Sequence, residues 1–263
     1  MLTSFKYWVR PAIWIGVASS SCVLFTAFTP PALDPAAAAR VPIVGTLPGD
    51  LPVYWLRFLL AFLLLGCLPA AVAWATGLSK EAVGLSVRTR ALRSPVFWLA
   101  VPAAVVIGAI GAMSPDLAAY YPYSHDLMAR VRASGLAPLV GHLVAYFCLY
   151  YAPWEFFFRG FLLLPLVSAA ERAFGLDRTG GRESAVPADT AIVVAVCVLF
   201  QTIPSAMLHA GHPLSELLAA VPAGMAFGIL AWRTRSIVPG LILHAAIGFG
   251  TDGFIVLRGA GYL

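Results

Sequence analysis

The residues able to do chemistry in this chain lie where an apolar helix tolerates them least. Glu155 and Arg159 interrupt the run Trp154-Glu155-Phe156-Phe157-Phe158-Arg159-Gly160. They fall inside a stretch, Val140 to Leu166, that is long enough to cross a bilayer. A charge at the bilayer centre costs about 2.5–3.5 kcal/mol on insertion scales, so such groups satisfy each other or line a polar cavity. The spacing of i and i+4, glutamate first, puts both on one helix face in the better orientation for pairing. His209 closes the run Phe200-Gln201-Thr202-Ile203-Pro204-Ser205-Ala206-Met207-Leu208, and His244 follows Leu241-Ile242-Leu243. One carboxylate and two imidazoles, packed together, could hold a water: Glu155 takes its proton, and His209 and His244 orient it or steady an oxyanion.

Each of these residues also has a structural reading. Glu155 and Arg159 could clasp two helices, His209 could sit at an interface or cap, and His244 could be a packed, hydrogen-bonded imidazole. His212 reads as a loop residue. Asp252 shares a face with His244 but reads as a helix-end residue. His125 and His142 have no carboxylate at a helical spacing. His209, His212 and Glu216 could in principle hold a metal, though the His212-Pro213 turn disturbs the helical geometry. Other intramembrane hydrolases are excluded by missing motifs: no H-E-x-x-H, no Gly-x-Ser-x-Gly elbow, and only Asp252 within any span, too few for a two-aspartate site. The four cysteines, Cys22, Cys67, Cys148 and Cys197, stand in apolar runs without a CxxC, which argues against disulfides and zinc modules. Cys148, seven residues before Glu155, falls on roughly the same face of a regular helix.

The elements that must position these groups are membrane spans. Hydrophobic residues make up 60% of the 263-residue chain and charged residues 11%, against about 25% charged in a soluble domain. The pattern predicts an all-α, polytopic integral membrane helical bundle of seven to eight transmembrane helices. The candidate spans are 12–29, 52–75, 96–113, 138–166, 189–209, 216–232 and 237–257. The last is diluted by Gly248, Gly250, Asp252 and Gly253. The first resembles a secretory signal before Ala36–Ala39, but it is long for one and fits better uncleaved. The net charge of +5 sits in loops. It follows the positive-inside rule rather than a nucleic-acid surface, and places the N-terminus in the cytoplasm of a cell-membrane protein. Lys6, Arg10, Lys80, Arg88, Arg90, Arg93, Arg172, Arg178, Arg182, Arg233 and Arg235 then face inward. Arg57 falls on an outer flank. The tyrosines of the outer loop, Tyr120, Tyr121 and Tyr123, suit the headgroup level. Glu171 to Ala188, with Gly180-Gly181, reads as a flexible connector. Gly224-x-x-x-Gly228 permits close helix contact, within the chain in preference to a dimer.

Three segments together resemble the CAAX-protease and bacteriocin-processing family, also called CPBP or Abi. Glu155-Phe-Phe-Phe-Arg159-Gly160 is similar to its E-E-x-x-x-R-Gly motif, Ser205-Ala-Met-Leu-His209 to F-x-x-x-H, and His244-Ala-Ala-Ile-Gly248 to H-x-x-x-N. The stretch from Gly224 to Ile237 lies between the last two, as in the family. The resemblance covers about 140–263 and divides the chain into N-terminal helices and loops, 1–135, and a CAAX-protease-like core, 136–263. It implies a membrane-embedded endopeptidase acting on a membrane-associated or prenylated peptide, or one with a sorting tail, among membrane lipid. Glu155 would be the acidic group, Arg159 its partner, and His209 and His244 the water or oxyanion residues. No cofactor is required on the glutamate-type mechanism described for the family; the metalloprotease mechanism also described would use a divalent metal such as zinc. Three positions depart from the motifs. Trp154 replaces the first glutamate, Ser205 the phenylalanine, and Gly248 the final asparagine, a candidate oxyanion donor. These departures keep a catalytically inactive scaffold or bacteriocin-immunity protein as the alternative. A small transporter gated by the Glu-Arg pair is a second rival, opposed by the absence of repeat symmetry. On the endopeptidase reading, Glu155→Gln abolishes cleavage and leaves the fold intact.

Overall fold

The computed structural model describes residues 2–32, 34–87, 89–175 and 187–263. The Gly180-Gly181 connector and Arg88, Arg178 and Arg182 lie outside the described residues, as do the side chains of Lys6 and Arg10. Among the described residues, seven long helices follow in chain order. They are α1 (Leu2–Ala32), α2 (Leu51–Ala75), α3 (Pro95–Gly111), α4 (137–173), α5 (Ala188–Met207), α6 (Leu214–Thr234) and α7 (Val238–Ala260). Each coincides with one apolar run of the sequence. Five are long and apolar enough to cross a membrane: the 11–29 part of α1, then α2, α5, α6 and α7. The 17-residue α3 is apolar but shorter, and α4 is the buried central helix of the bundle.

Three prolines explain why α2 and α4 are not regular. π-Helical stretches occupy Ala61–Cys67, Phe147–Tyr151 and Phe156–Leu163. Pro69, Pro153 and Pro165 each stand at the second residue past such a stretch. A proline removes its own i→i−4 hydrogen bond and its ring crowds the carbonyl four residues back. In all three cases that carbonyl belongs to the widened turn, which relieves the crowding. The wider turns also shift register. Cys148 therefore leaves the Glu155 face, is exposed and joins an apolar dent with Val140, Val144 and Phe249.

The main core packs α1 and α2 against α4. Trp14, Phe58 and Leu65 meet Trp154, Phe157, Phe158 and Phe161, all buried. Glycines bring the remaining helices close. A side chain at Gly224 or Gly228 would press on Thr202 or Gln201, and Gln201 donates to the Gly224 carbonyl at 3.0 Å, so this small-residue face joins α5 to α6 within the chain. A Cβ at Gly108 would lie 1.9 Å from the Ile247 carbonyl and one at Gly250 2.0 Å from that of Val105. Of the glycines that dilute the seventh span, Gly250 is thus a contact with α3 and Gly248 one with Tyr151 of α4, and α7 packs mainly along α3 rather than α6. α4 runs beyond its expected end at 166 to Ala173. There Glu171, expected in the connector, is buried and accepts from Trp232 Nε1 at 3.2 Å and from Arg235.

Candidate active site

Four helices and two loops converge on the expected residues. Ala152–Glu155 of α4 is flanked by the π stretches; Trp154 and Tyr151, the last residue of the first stretch, line a chamber that Glu155 does not. Glu155 is fully buried. Its Oε1 accepts from His244 Nδ1 on α7 at 2.7 Å and lies 3.2 Å from Arg159 Nη1. Because Nδ1 donates to the carboxylate, the other ring nitrogen of neutral His244, Nε2, carries the lone pair.

His209 lies in the turn after α5, where its ring meets the Trp154 indole edge-on at 5.2 Å between centroids. Its Nδ1 donates to the Ser205 carbonyl at 2.8 Å, which leaves Nε2 as an acceptor. Burial pushes the His209 imidazole down to about 4, against the opposing pull of the Glu216 carboxylate, so the ring is neutral at neutral pH. His209 and His244 line one chamber of about 40 Å³ with Tyr121, Tyr151, Trp154 and Glu216. At roughly 10–15 Å³ each, it has room for a few waters. A straight-helix reading would put the two histidines at opposite membrane depths. They meet because α7 leans on α3 and crosses α6 near Phe227, whose ring is 5.6 Å from that of His244.

The chamber shares Tyr121, Tyr151, His209, Glu216 and His244 with a larger cavity of about 480 Å³ between α3, α6 and α7. That cavity is walled by Ile107, Ala219, Ala223, Phe227 and Ile247. Its size falls in the usual range for ligand sites, roughly 300–1,000 Å³. Glu155 and Arg159 line neither space. Of the four expected residues, the structure joins Glu155, Arg159 and His244 directly and sets His209 across the chamber from His244.

Several residues here were missed or misread from sequence. Tyr121 is buried, not at a headgroup surface. Burial keeps its phenol well above the ordinary range, and it donates to Glu216 Oε1 at 2.7 Å. Tyr120 and Tyr123 instead receive Arg57 Nη2 at 3.3 and 2.8 Å. Arg57 is buried within α2 rather than on an outer flank, and its guanidinium stacks 3.6 Å above the Tyr123 ring. His212 is not a bare loop residue: Arg57 Nη2 donates to its Nε2 at 3.2 Å and its Nδ1 donates to Glu216 Oε1 at 3.1 Å. Asp252 lies inside α7 instead of at its end, is buried, and accepts from His142 Nε2 at 2.7 Å. The position of Asp252 on the His244 face was a usable signal; the tertiary partners carried none in local spacing.

Two motif departures acquire a shape. Trp154 fills the chamber wall with an indole whose Nε1 is buried without a partner. A Cβ at Gly248 would fall 1.6 Å from the Tyr151 hydroxyl, so that hydroxyl occupies the space where a side chain at 248 would begin. No group of three or more His, Cys, Asp or Glu among the described residues is arranged to hold a metal ion.

A carboxylate-backed imidazole thus lines a chamber within a helical membrane bundle. Residues 136–250 match the Rce1-like family model, type II CAAX prenyl endopeptidase Rce1-like. Over these residues the chain is similar to the CAAX-protease-like family, as the motifs suggested. No curated protein and no solved structure matches the chain.

Proposed function

We propose that this protein is a membrane endopeptidase that hydrolyses a peptide bond held at the mouth of the chamber. The observation that carries this reading is the 2.7 Å bond from His244 to the buried Glu155, which leaves the imidazole Nε2 free toward a chamber continuous with the apolar cavity. Glu155 reaches the chamber only through His244, so it is a positioning residue: it fixes the tautomer and balances the imidazolium formed when His244 gains a proton. Arg159, whose Nη1 lies 3.2 Å from the same carboxylate oxygen, answers its charge. His209, neutral and with its lone pair inward, orients the water. The Tyr151 hydroxyl, beside His244 with ring centroids 4.9 Å apart, is the donor placed to meet the oxyanion.

The cavity chemistry favours an apolar substrate segment, such as a prenylated or membrane-associated peptide lying among lipid, with little charge along its length. The Lys and Arg distribution supports a cytoplasmic N-terminus. The test is cleavage in proteoliposomes of a fluorogenic peptide carrying an S-prenylated cysteine near its carboxyl end. Wild type is expected to release the tail and His244→Asn to leave it intact. Equal, background signals from both would favour the alternative, a non-catalytic scaffold or immunity protein that uses the cavity only to bind.

A further inference from the structure

Resting on the endopeptidase reading, we propose that Glu216 is a catalytic residue: the carboxylate that takes the proton of the attacking water. Hydrolysis of a peptide bond to a carboxylate and an ammonium moves both protons of the water onto the leaving nitrogen. The His244–Glu155 pair can carry one of them. Glu155 itself does not line the chamber, and Trp154 offers no acceptor there. Among the described residues, Glu216 is the one carboxylate on the chamber wall.

Its geometry suits the task. Oε1 is held by two donors, Tyr121 at 2.7 Å and His212 Nδ1 at 3.1 Å. The tautomer of His212 is set in turn by Arg57, which donates to its Nε2 at 3.2 Å. These donors orient the carboxylate and, through Arg57, answer its charge. Oε2 is buried and has no hydrogen-bond partner within the protein. Across the gap, His209 Nε2 lies 3.9 Å from Glu216 Oε1. That separation is too long for a hydrogen bond. Nε2 also bears a lone pair, because its ring proton is spent on Ser205. Two acceptors facing each other are joined by a molecule with two donors, which a water supplies: one O–H toward His209, the other toward Glu216.

The step balances as follows. As the water oxygen bonds to the peptide carbonyl carbon, one proton passes to Glu216 and the carbonyl electrons move onto the oxygen, facing Tyr151. Glu216 passes that proton to the amide nitrogen as the C–N bond breaks. The remaining O–H proton of the new acid goes to His244, whose imidazolium delivers it to the amine. Glu216 ends as a carboxylate and His244 as a neutral imidazole.

The same residue could instead serve only to tie the start of α6 to the Tyr121 segment, and kinetics separate the two roles. Wild type, Glu216→Gln and His244→Asn are compared on the prenylated peptide in proteoliposomes, with the folded fraction of each measured by gel filtration and thermal melting. Glu216→Gln keeps an acceptor for Tyr121 and His212. It is expected to lose about 10²–10⁴-fold in kcat per folded molecule, with KM little changed, the usual worth of a general base. A kcat within about threefold of wild type, or a change confined to KM or to folded fraction, overturns the role of Glu216 while leaving the endopeptidase reading intact. No cleavage by wild type overturns both.

Discussion

Glu155→Gln is expected to unsettle the fold as well as the chemistry. The burial of Arg159 changes the simpler expectation of an inert, well-folded variant. Both side chains are almost completely buried and lie 3.2 Å apart. Removing one partner of such a pair strands the other charge and costs about 3–5 kcal/mol. At about 2–4 °C per kcal/mol for a chain near this size, the melting temperature should fall by roughly 6–20 °C. Replacing both partners, as in Glu155→Gln with Arg159→Met, removes the stranded charge, and apolar replacement of buried pairs is often neutral or stabilising by about 1–4 kcal/mol. The double variant should therefore melt close to wild type while remaining unable to cleave. The assay is thermal unfolding in detergent followed by intrinsic tryptophan fluorescence. A single variant that melts with wild type, or a double variant as unstable as the single, would refute the claim that charge compensation inside α4 sets this cost.

Other consequences are equally direct. Tyr151→Phe should lower kcat by about 10²–10³-fold, the worth of one oxyanion donor, and stopped assays on the prenylated peptide would show it. Gly248→Ala should give a comparable loss, because its Cβ would displace the Tyr151 hydroxyl from 1.6 Å away; full activity in that variant would contradict the contact. His209 should titrate near 4 by nuclear magnetic resonance instead of near 6.5. Its folded value lies below its unfolded one, so the native state binds fewer protons in that window and loses stability as pH falls from about 6.5 to 4, with no contribution from His209 above it. Asp252→Ala removes the acceptor of the 2.7 Å bond from His142 and should cost about 1–3 kcal/mol, read as a lowered melting temperature.

The seven helices were legible because bilayer thickness and hydropathy fix the length of an apolar run, whatever it later packs against. The Glu155–Arg159 pair was legible because i,i+4 spacing is a local fact. His244 and His209 could be named, but not brought together, since their meeting depends on α7 leaning on α3 through Gly108 and Gly250. The π stretches escaped notice although Pro69, Pro153 and Pro165 mark each one. Cys148 was consequently assigned to the wrong face. Arg57, Tyr121, His212 and Glu216 come from three distant segments, and none has a chemical partner nearby in sequence except the His212–Glu216 pair. That pair was seen only as a doubtful metal set. The seventh span looked weak because its glycines were weighed as lost hydrophobicity, whereas Gly250 permits close approach to α3 and Gly248 to Tyr151.

The most direct test of the central claim compares peptide termini across the membrane proteome of cells making wild type or His244→Asn at matched levels. The asparagine variant spares the buried Glu155–Arg159 pair, so it removes the imidazole without stranding a charge. New termini that appear only with wild type, following apolar or prenylated segments, are the predicted result. Identical termini in both, with both proteins folded in the membrane, would contradict the assignment of His244 and its chamber to peptide hydrolysis.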